Sequence, residues 1–197
     1  IKKFKVGDKV VIQPGTFQSD CSYVKNKIEN FSPNYGILGE TENGVQAEYV
    51  LFNECNLHIM SNFLSFEEAA SMQLVYMTAY QMLITRANLL AGENVLIYGA
   101  TSGVGSAAIQ IAKSLGATVI STVGNKDKIS YATNLGSDYV LIHDEALIEN
   151  VKVICISGVD VVVEHPGKKT WTKSLKVLKK GGRLVTCGST TGSLVEI

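Results

Sequence analysis

No Cys-x-x-Cys pair occurs in this chain. Cys21, Cys55, Cys155 and Cys187 lie far apart, which excludes a zinc knuckle or a disulfide scaffold and fits reduced intracellular thiols. His58, His143 and His165 have no metal-like spacing to one another or to a cysteine. Net charge is lacking too. Eighteen basic and eighteen acidic residues sum to zero, so nothing in the balance favours nucleic acid or a membrane surface as partner. No apolar run approaches the roughly 18 residues of a membrane span, and no signal peptide is visible. Repeats and low-complexity segments are also missing. Together these absences predict a soluble, cytoplasmic protein. With 46% apolar and 18% charged residues the chain can build a real core. Its length allows one full domain and part of another.

What is present centres on Glu93 to Lys113. The apolar run Val95-Leu96-Ile97-Tyr98 breaks into Gly99-Ala100-Thr101-Ser102-Gly103-Val104-Gly105, and that turn opens directly into an apolar-faced helix. Strand, glycine turn and helix in that order are the context in which such a motif binds a dinucleotide. Gly99 permits the tight turn, Gly103 the approach of a diphosphate to the main chain, and Gly105 close packing of helix on sheet. The free N–H groups and the positive end of the helix then face the phosphates. An ordinary βα turn with accidental glycines is the competing reading.

Downstream the pattern continues. Thr118 to Val123 reads as a second strand, followed by the polar loop Gly124 to Lys128 and an amphipathic segment that Gly136 ends as a C-cap. Tyr139–Ile142 and Val159–Glu164 read as third and fourth strands, Thr170 to Leu178 as a helix, and Arg183 to Cys187 as a fifth strand. Strands apolar on both faces, alternating with helices, predict a parallel sheet covered on both sides. The segment 146–156 fits either a crossover helix or an alternating strand, and the right-handed crossover rule favours the helix. Residues 1–62 differ in kind. Phe4 to Ile12 reads as a turn followed by a strand and Val45 to Leu51 as a strand, with a polar loop from Gln18 to Asn34 between them. This portion is a smaller β-rich domain, and 63–197 the dinucleotide-binding one. Ser65 and Glu68 form a capping box for a helix that continues through Met72 to Ala87.

With these residues in view, the sequence resembles the medium-chain dehydrogenase/reductase superfamily, in its zinc-type alcohol dehydrogenase and quinone reductase branches. The matching pieces are Phe4 to Val10, Tyr35 to Glu40, Ala47 to Val50, Thr78-Ala79-Tyr80, the glycine turn with its helix, and Gly181 to Gly188. The resemblance implies part of a GroES-like β domain followed by a Rossmann doubly wound parallel sheet. Substrate would lie in the cleft between them, in a homodimer or homotetramer. It also implies further chain ahead of Phe4 and after Ile197.

The resemblance fails at zinc. The four cysteines of the family's structural zinc lobe fall on Gln18, Cys21, Val24 and Ser32, and a catalytic cysteine ligand falls on Leu74. One thiol cannot supply a tetrahedral Zn²⁺, and leucine cannot ligate. Zinc is therefore not expected. Cofactor choice falls at the end of the second strand, where NAD-preferring relatives carry an acid for the ribose hydroxyls. Val123 stands there, followed by Gly124, Asn125, Lys126, Asp127 and Lys128. By resemblance Lys128 meets a 2′-phosphate and His143 adds a contact. A charge-assisted hydrogen bond of about 1.5–3 kcal/mol favours NADP over NAD by roughly ten- to a hundredfold. Asp127 works against this by lowering the local positive charge.

The resemblance further implies that Thr78 and the backbone around Gly188 border the nicotinamide. Tyr76 is a candidate stabiliser of a developing enolate oxygen. The expected cofactor-binding set is Gly99, Thr101, Ser102, Gly103, Val104, Gly105, Asn125, Lys128, His143 and Gly188. The expected reaction is hydride transfer between NADP(H) and a small carbonyl, enone or quinone-type substrate without zinc. A zinc-dependent alcohol dehydrogenase using NAD(P) and a non-catalytic NADP-binding relative stay open. A short-chain dehydrogenase does not fit, because Tyr131 is followed four residues on by Leu135, not lysine.

Overall fold

A computed structural model describes residues 3–17 and 21–195. The chain divides into two compact units, Ile1–Leu74 and Val75–Ile197. In the first, β1 (Val10–Ile12), β2 (Gly15–Thr16), the short α1 (Ser22–Lys25), β3 (Gly36–Ile37) and β4 (Leu57–Ile59) follow in order. β1 pairs antiparallel with β4, and β2 with β3. Buried Asn56 links the two pairs. Its Nδ2 donates to the carbonyls of Gln13 and Gly15, at 2.9 and 2.6 Å, and to Gln13 Oε1 at 3.0 Å. The strand expected over Val45 to Leu51 does not form. Alternation supplies an apolar face, but a strand also needs a hydrogen-bonding neighbour. None of the described residues pairs with this segment, whose Tyr49 and Leu51 are 90% and 99% exposed.

α2 (Phe66–Tyr80) begins at the expected capping box: Ser65 N donates to Glu68 Oε2 at 2.8 Å, and Glu68 N to Ser65 Oγ at 3.1 Å. The helical path continues over Gln81–Arg86 as a wider π-helical turn, so the expected helix to Ala87 is present with a changed pitch at its end.

The second unit contains β5 (Asn94–Ile97), α3 (Gly103–Ser114), β6 (Thr118–Val123), α4 (Ile129–Asn134), β7 (Tyr139–Ile142), α5 (Leu147–Ile154), β8 (Val159–Glu164), α6 (Trp171–Val177) and β9 (Leu178–Thr186). The strands form one parallel sheet in the order β7-β6-β5-β8-β9. Period-two alternation sends Val95, Ile97, Val119, Val161 and Val163 to one face, against Ala107, Ala108 and Ala112 of α3. Leu96, Tyr98, Ile120 and Val162 face the other way, against Leu147 and Val151 of α5 and Val177 of α6. Hence β5, β6 and β8 are buried on both faces. The ambiguous 146–156 segment is a helix, α5. Leu147 and Val151 are buried one turn apart, while Val153 and Ile156 are 83% and 89% exposed. The fifth strand starts earlier than expected. Leu178 opposite Val159 and Arg183 opposite Val161 leave a register irregularity that holds the lysines and the Gly181-Gly182 pair.

Three ion pairs tie strand ends together. Arg183 donates two hydrogen bonds to the Glu93 carboxylate (2.8 and 2.6 Å) and one to Ala87 O. Lys113 pairs with Asp138, and Lys179 with Asp160. The Arg183 hydrogen bond holds the Glu93 carboxyl below its ordinary value. Burial alone would raise Asp138 and Asp160, but their lysines and the Val119 and Asn94 amides pull both below the usual range. A carboxyl group held low in the fold favours folding while ionised and the unfolded chain once protonated. This support is complete above the ordinary carboxylate range, near about pH 4, and is lost as pH falls through the lower folded values. The urea midpoint is therefore expected to stay flat from neutral to mildly acidic pH, then fall steeply, with Glu93→Gln blunting the fall. A midpoint that ignores acid would show that these pairs contribute nothing.

Candidate dinucleotide site

The chain leaves β5 at Tyr98 and reverses at Gly99, whose φ of +62° suits a residue without a Cβ. The turn is pinned to β6: Gly99 N donates to Thr122 Oγ1 at 3.2 Å and Ala100 N to Thr122 O at 2.8 Å. Ser102 caps α3, its Oγ accepting from Gly105 N at 3.0 Å. A Cβ at Gly105 would run into the carbonyl of Gly99, so the turn closes on itself only with glycine there. The amides of Gly103 and Val104 have no partner among the described residues. They are free first-turn donors, at the positive end of a twelve-residue helix. Thr101 lies within the same turn.

Strand order reverses between β5 and β8, and a crevice outside the carboxyl ends at such a point is where doubly wound sheets bind ligands. A cavity of about 490 Å³ lies at these strand ends, lined among others by Tyr98, Gly99, His143, His165, Lys169 and Lys173. His143 follows β7, with its N–H on Val123 O at 3.2 Å and its ring 3.6 Å from where a Gly124 Cβ would sit. Asn125 and Lys128 flank the exposed turn just beyond. Gly188 follows β9, and a Cβ there would lie 3.3 Å from His165 O. Thr78 and Tyr76 sit on α2. Val75 on that helix reaches the first turn of α3, at 2.7 Å from a Gly103 Cβ, and Thr78 is one turn further along. Tyr76 is half-buried against the core that α3 shares.

Two residues here escaped the sequence reading. His165 Nε2 lies 2.9 Å from Tyr98 O and 3.5 Å from Ser102 Oγ. Fully buried Glu164 accepts from Gly167 N (2.7 Å), Thr170 Oγ1 (2.9 Å) and Ser174 Oγ (2.6 Å), fixing the turn that carries His165. The available signal was position alone: both close the fourth strand at the reversal point. Burial, reinforced by the charge of Glu164, pushes the Tyr98 phenol up to about 12. Burial and Glu164 likewise raise the Cys187 thiol, which disfavours the thiolate a nucleophile would need.

Known proteins are similar to this chain in sequence and fold. A family model described as zinc-binding dehydrogenase matches residues 103–196, and one described as an alcohol dehydrogenase GroES-like domain matches residues 1–62. Crotonyl-CoA carboxylase/reductase of Cereibacter sphaeroides is 34% identical over 98% of this chain and 51% of its own length. The chain belongs to the medium-chain dehydrogenase/reductase superfamily. Quinone oxidoreductase of Homo sapiens is 34% identical over 76% of this chain and 46% of its own. The crystal structure of an NAD-dependent alcohol dehydrogenase superposes with a TM-score of 0.94 at 39% identity, covering 98% of this chain and 57% of that one. The chain thus spans about half the length of the curated relatives it matches. The medium-chain dehydrogenase/reductase relatives just named are all oxidoreductases by name.

Zinc, which the family description names, does not fit the residues present. Of the lobe positions, Cys21 offers one thiol beside Val24 and Ser32, while Gln18 lies outside the described residues. Leu74 is a 52% exposed hydrocarbon side chain. No group of three or more His, Cys, Asp or Glu side chains among the described residues could hold a metal ion. Nor is any described helix long and apolar enough to cross a membrane.

Proposed function

We propose that the C-terminal unit binds NADP(H), and that the whole protein transfers a hydride between it and a small carbonyl, enone or quinone-type substrate without zinc. The observation that carries this reading is the free Gly103 and Val104 amides beside a self-closing glycine turn, at the point where strand order reverses. In this reading those amides and the Ser102 hydroxyl hold the diphosphate. The turn after β6 takes the adenosine ribose: Val123 offers no acid against a 2′-phosphate, Asn125 stands at the strand end, and Lys128 and His143 supply donors. The bound nicotinamide supplies the hydride chemistry. Thr78 and the Gly188 backbone would border its ring and keep water from it, and Tyr76 would hold a developing enolate oxygen. Relatives named crotonyl-CoA reductase and quinone oxidoreductase support a polarised C=C or quinone as acceptor over an alcohol, as does a donor set unsuited to zinc.

The test is NADPH oxidation by the full-length protein against a panel of enones, enoyl thioesters and quinones. Turnover with NADPH above NADH is expected. Lys128→Ala should lower the NADPH-to-NADH preference about tenfold, in line with one charge-assisted hydrogen bond. Binding of neither nucleotide in a titration would overturn the reading, and binding without turnover on any substrate would leave only its nucleotide half.

A further inference from the structure

His165 holds a geometry that the glycine turn does not need for its own closure. Its Nε2 is 2.9 Å from the Tyr98 carbonyl, the last group before the turn. A carbonyl can only accept, so Nε2 carries the proton. The longer 3.5 Å approach to Ser102 Oγ is then secondary. Ser102 Oγ already accepts from Gly105 N, and its own hydroxyl hydrogen remains to be given elsewhere. With Nε2 protonated in the neutral ring, Nδ1 is a bare acceptor. It has no hydrogen-bond partner among the described residues, and the ring lines the cavity at the strand ends. The ring is held firmly. Glu164 fastens the following turn through Gly167 N, Thr170 and Ser174, and Gly99 leaves the room it needs, since a Cβ there would sit 3.0 Å from its Cε1.

We infer that His165 is a cofactor-binding residue: Nε2–H fixes the Tyr98 carbonyl, and Nδ1 accepts a hydrogen bond from a ribose hydroxyl of the dinucleotide. A ribose hydroxyl is the fitting partner because a neutral imidazole nitrogen accepts, and the phosphate oxygens of the same ligand have no proton to give. The assignment rests on the nucleotide reading above. It concerns the part of the ligand common to NADPH and NADH, whereas Lys128 concerns the 2′-phosphate alone.

The experiment titrates NADPH and NADH into full-length wild type, His165→Ala and His165→Gln, with the urea midpoint of each measured alongside. His165→Ala is expected to weaken both nucleotides about tenfold and equally, the size of one or two lost hydrogen bonds. His165→Gln retains one donor and one acceptor and is expected to recover to within about threefold of wild type. Binding by His165→Ala within about twofold of wild type overturns the assignment. So does His165→Gln as weak as His165→Ala at an unchanged midpoint, which would mark a role in filling space. A wild type that binds neither nucleotide is a different failure, that of the nucleotide reading, and takes this assignment with it.

Discussion

Gly105→Val is expected to abolish measurable binding of both NADPH and NADH, raising Kd at least about a hundredfold. A Cβ at this position meets the Gly99 carbonyl head-on and comes within 2.9 Å of Ser102 Oγ. The obstacle is main chain, which cannot rotate away as a side chain would. Relief requires α3 to lift from the turn, which breaks the Ser102 cap and turns the Gly103 and Val104 amides away from the proposed diphosphate. Overpacking of this kind also costs about 1–3 kcal/mol of stability. Isothermal titration measures the first effect and urea unfolding the second. A variant that keeps its affinity within about threefold would show that the diphosphate is held elsewhere.

The largest expected stability effect away from the turn is at Glu164. Glu164→Ala removes the acceptor of three donors inside a region without solvent. Thr170 and Ser174 have carbonyls of Gly167 and Thr170 to fall back on, at 3.2 and 3.0 Å. The Gly167 amide has no such substitute. An orphaned buried N–H together with the space vacated by the side chain gives an expected loss of about 3 kcal/mol. Glu164→Gln keeps one carbonyl oxygen for Gly167 and is expected to lose about 1 kcal/mol. Trp171, the single tryptophan, begins α6 beside Thr170 and reports this transition by its fluorescence during urea unfolding. Equal midpoints for Glu164→Ala and wild type would mean that water reaches the Gly167 amide.

These two positions also mark how far the sequence could be read. Gly105 was legible because its reason is local: a strand, a reversal and a helix start succeed one another within a dozen residues. Each leaves a compositional trace, in β-branched runs, glycine and an alternating apolar face. β7 and β8 were legible for the same reason. Val45 to Leu51 carries an equally good alternating pattern and is not a strand, because pairing is supplied by another segment and pattern cannot report on that. The 146–156 segment was ambiguous for want of burial, since Leu147 and Val151 are distinguished from Val153 and Ile156 only by what packs on them. His165 was seen as a histidine without metal spacing. Its partner, the Tyr98 carbonyl, lies 67 residues away in the chain, and no local signature connects the two.

The middle strand β5 has neighbours made at very different times in synthesis. β6 follows it almost at once, but β8, which takes its other edge, pairs Val95 with Val161. Until the ribosome has delivered the residues through Glu164, one margin of the strand that ends in the glycine turn stays open, and His165 is not there to steady it. A growing chain thus carries its most recognisable motif for some sixty residues before the strand leading into it is paired on both edges. During this interval the bare strand edge is open to pairing with another chain.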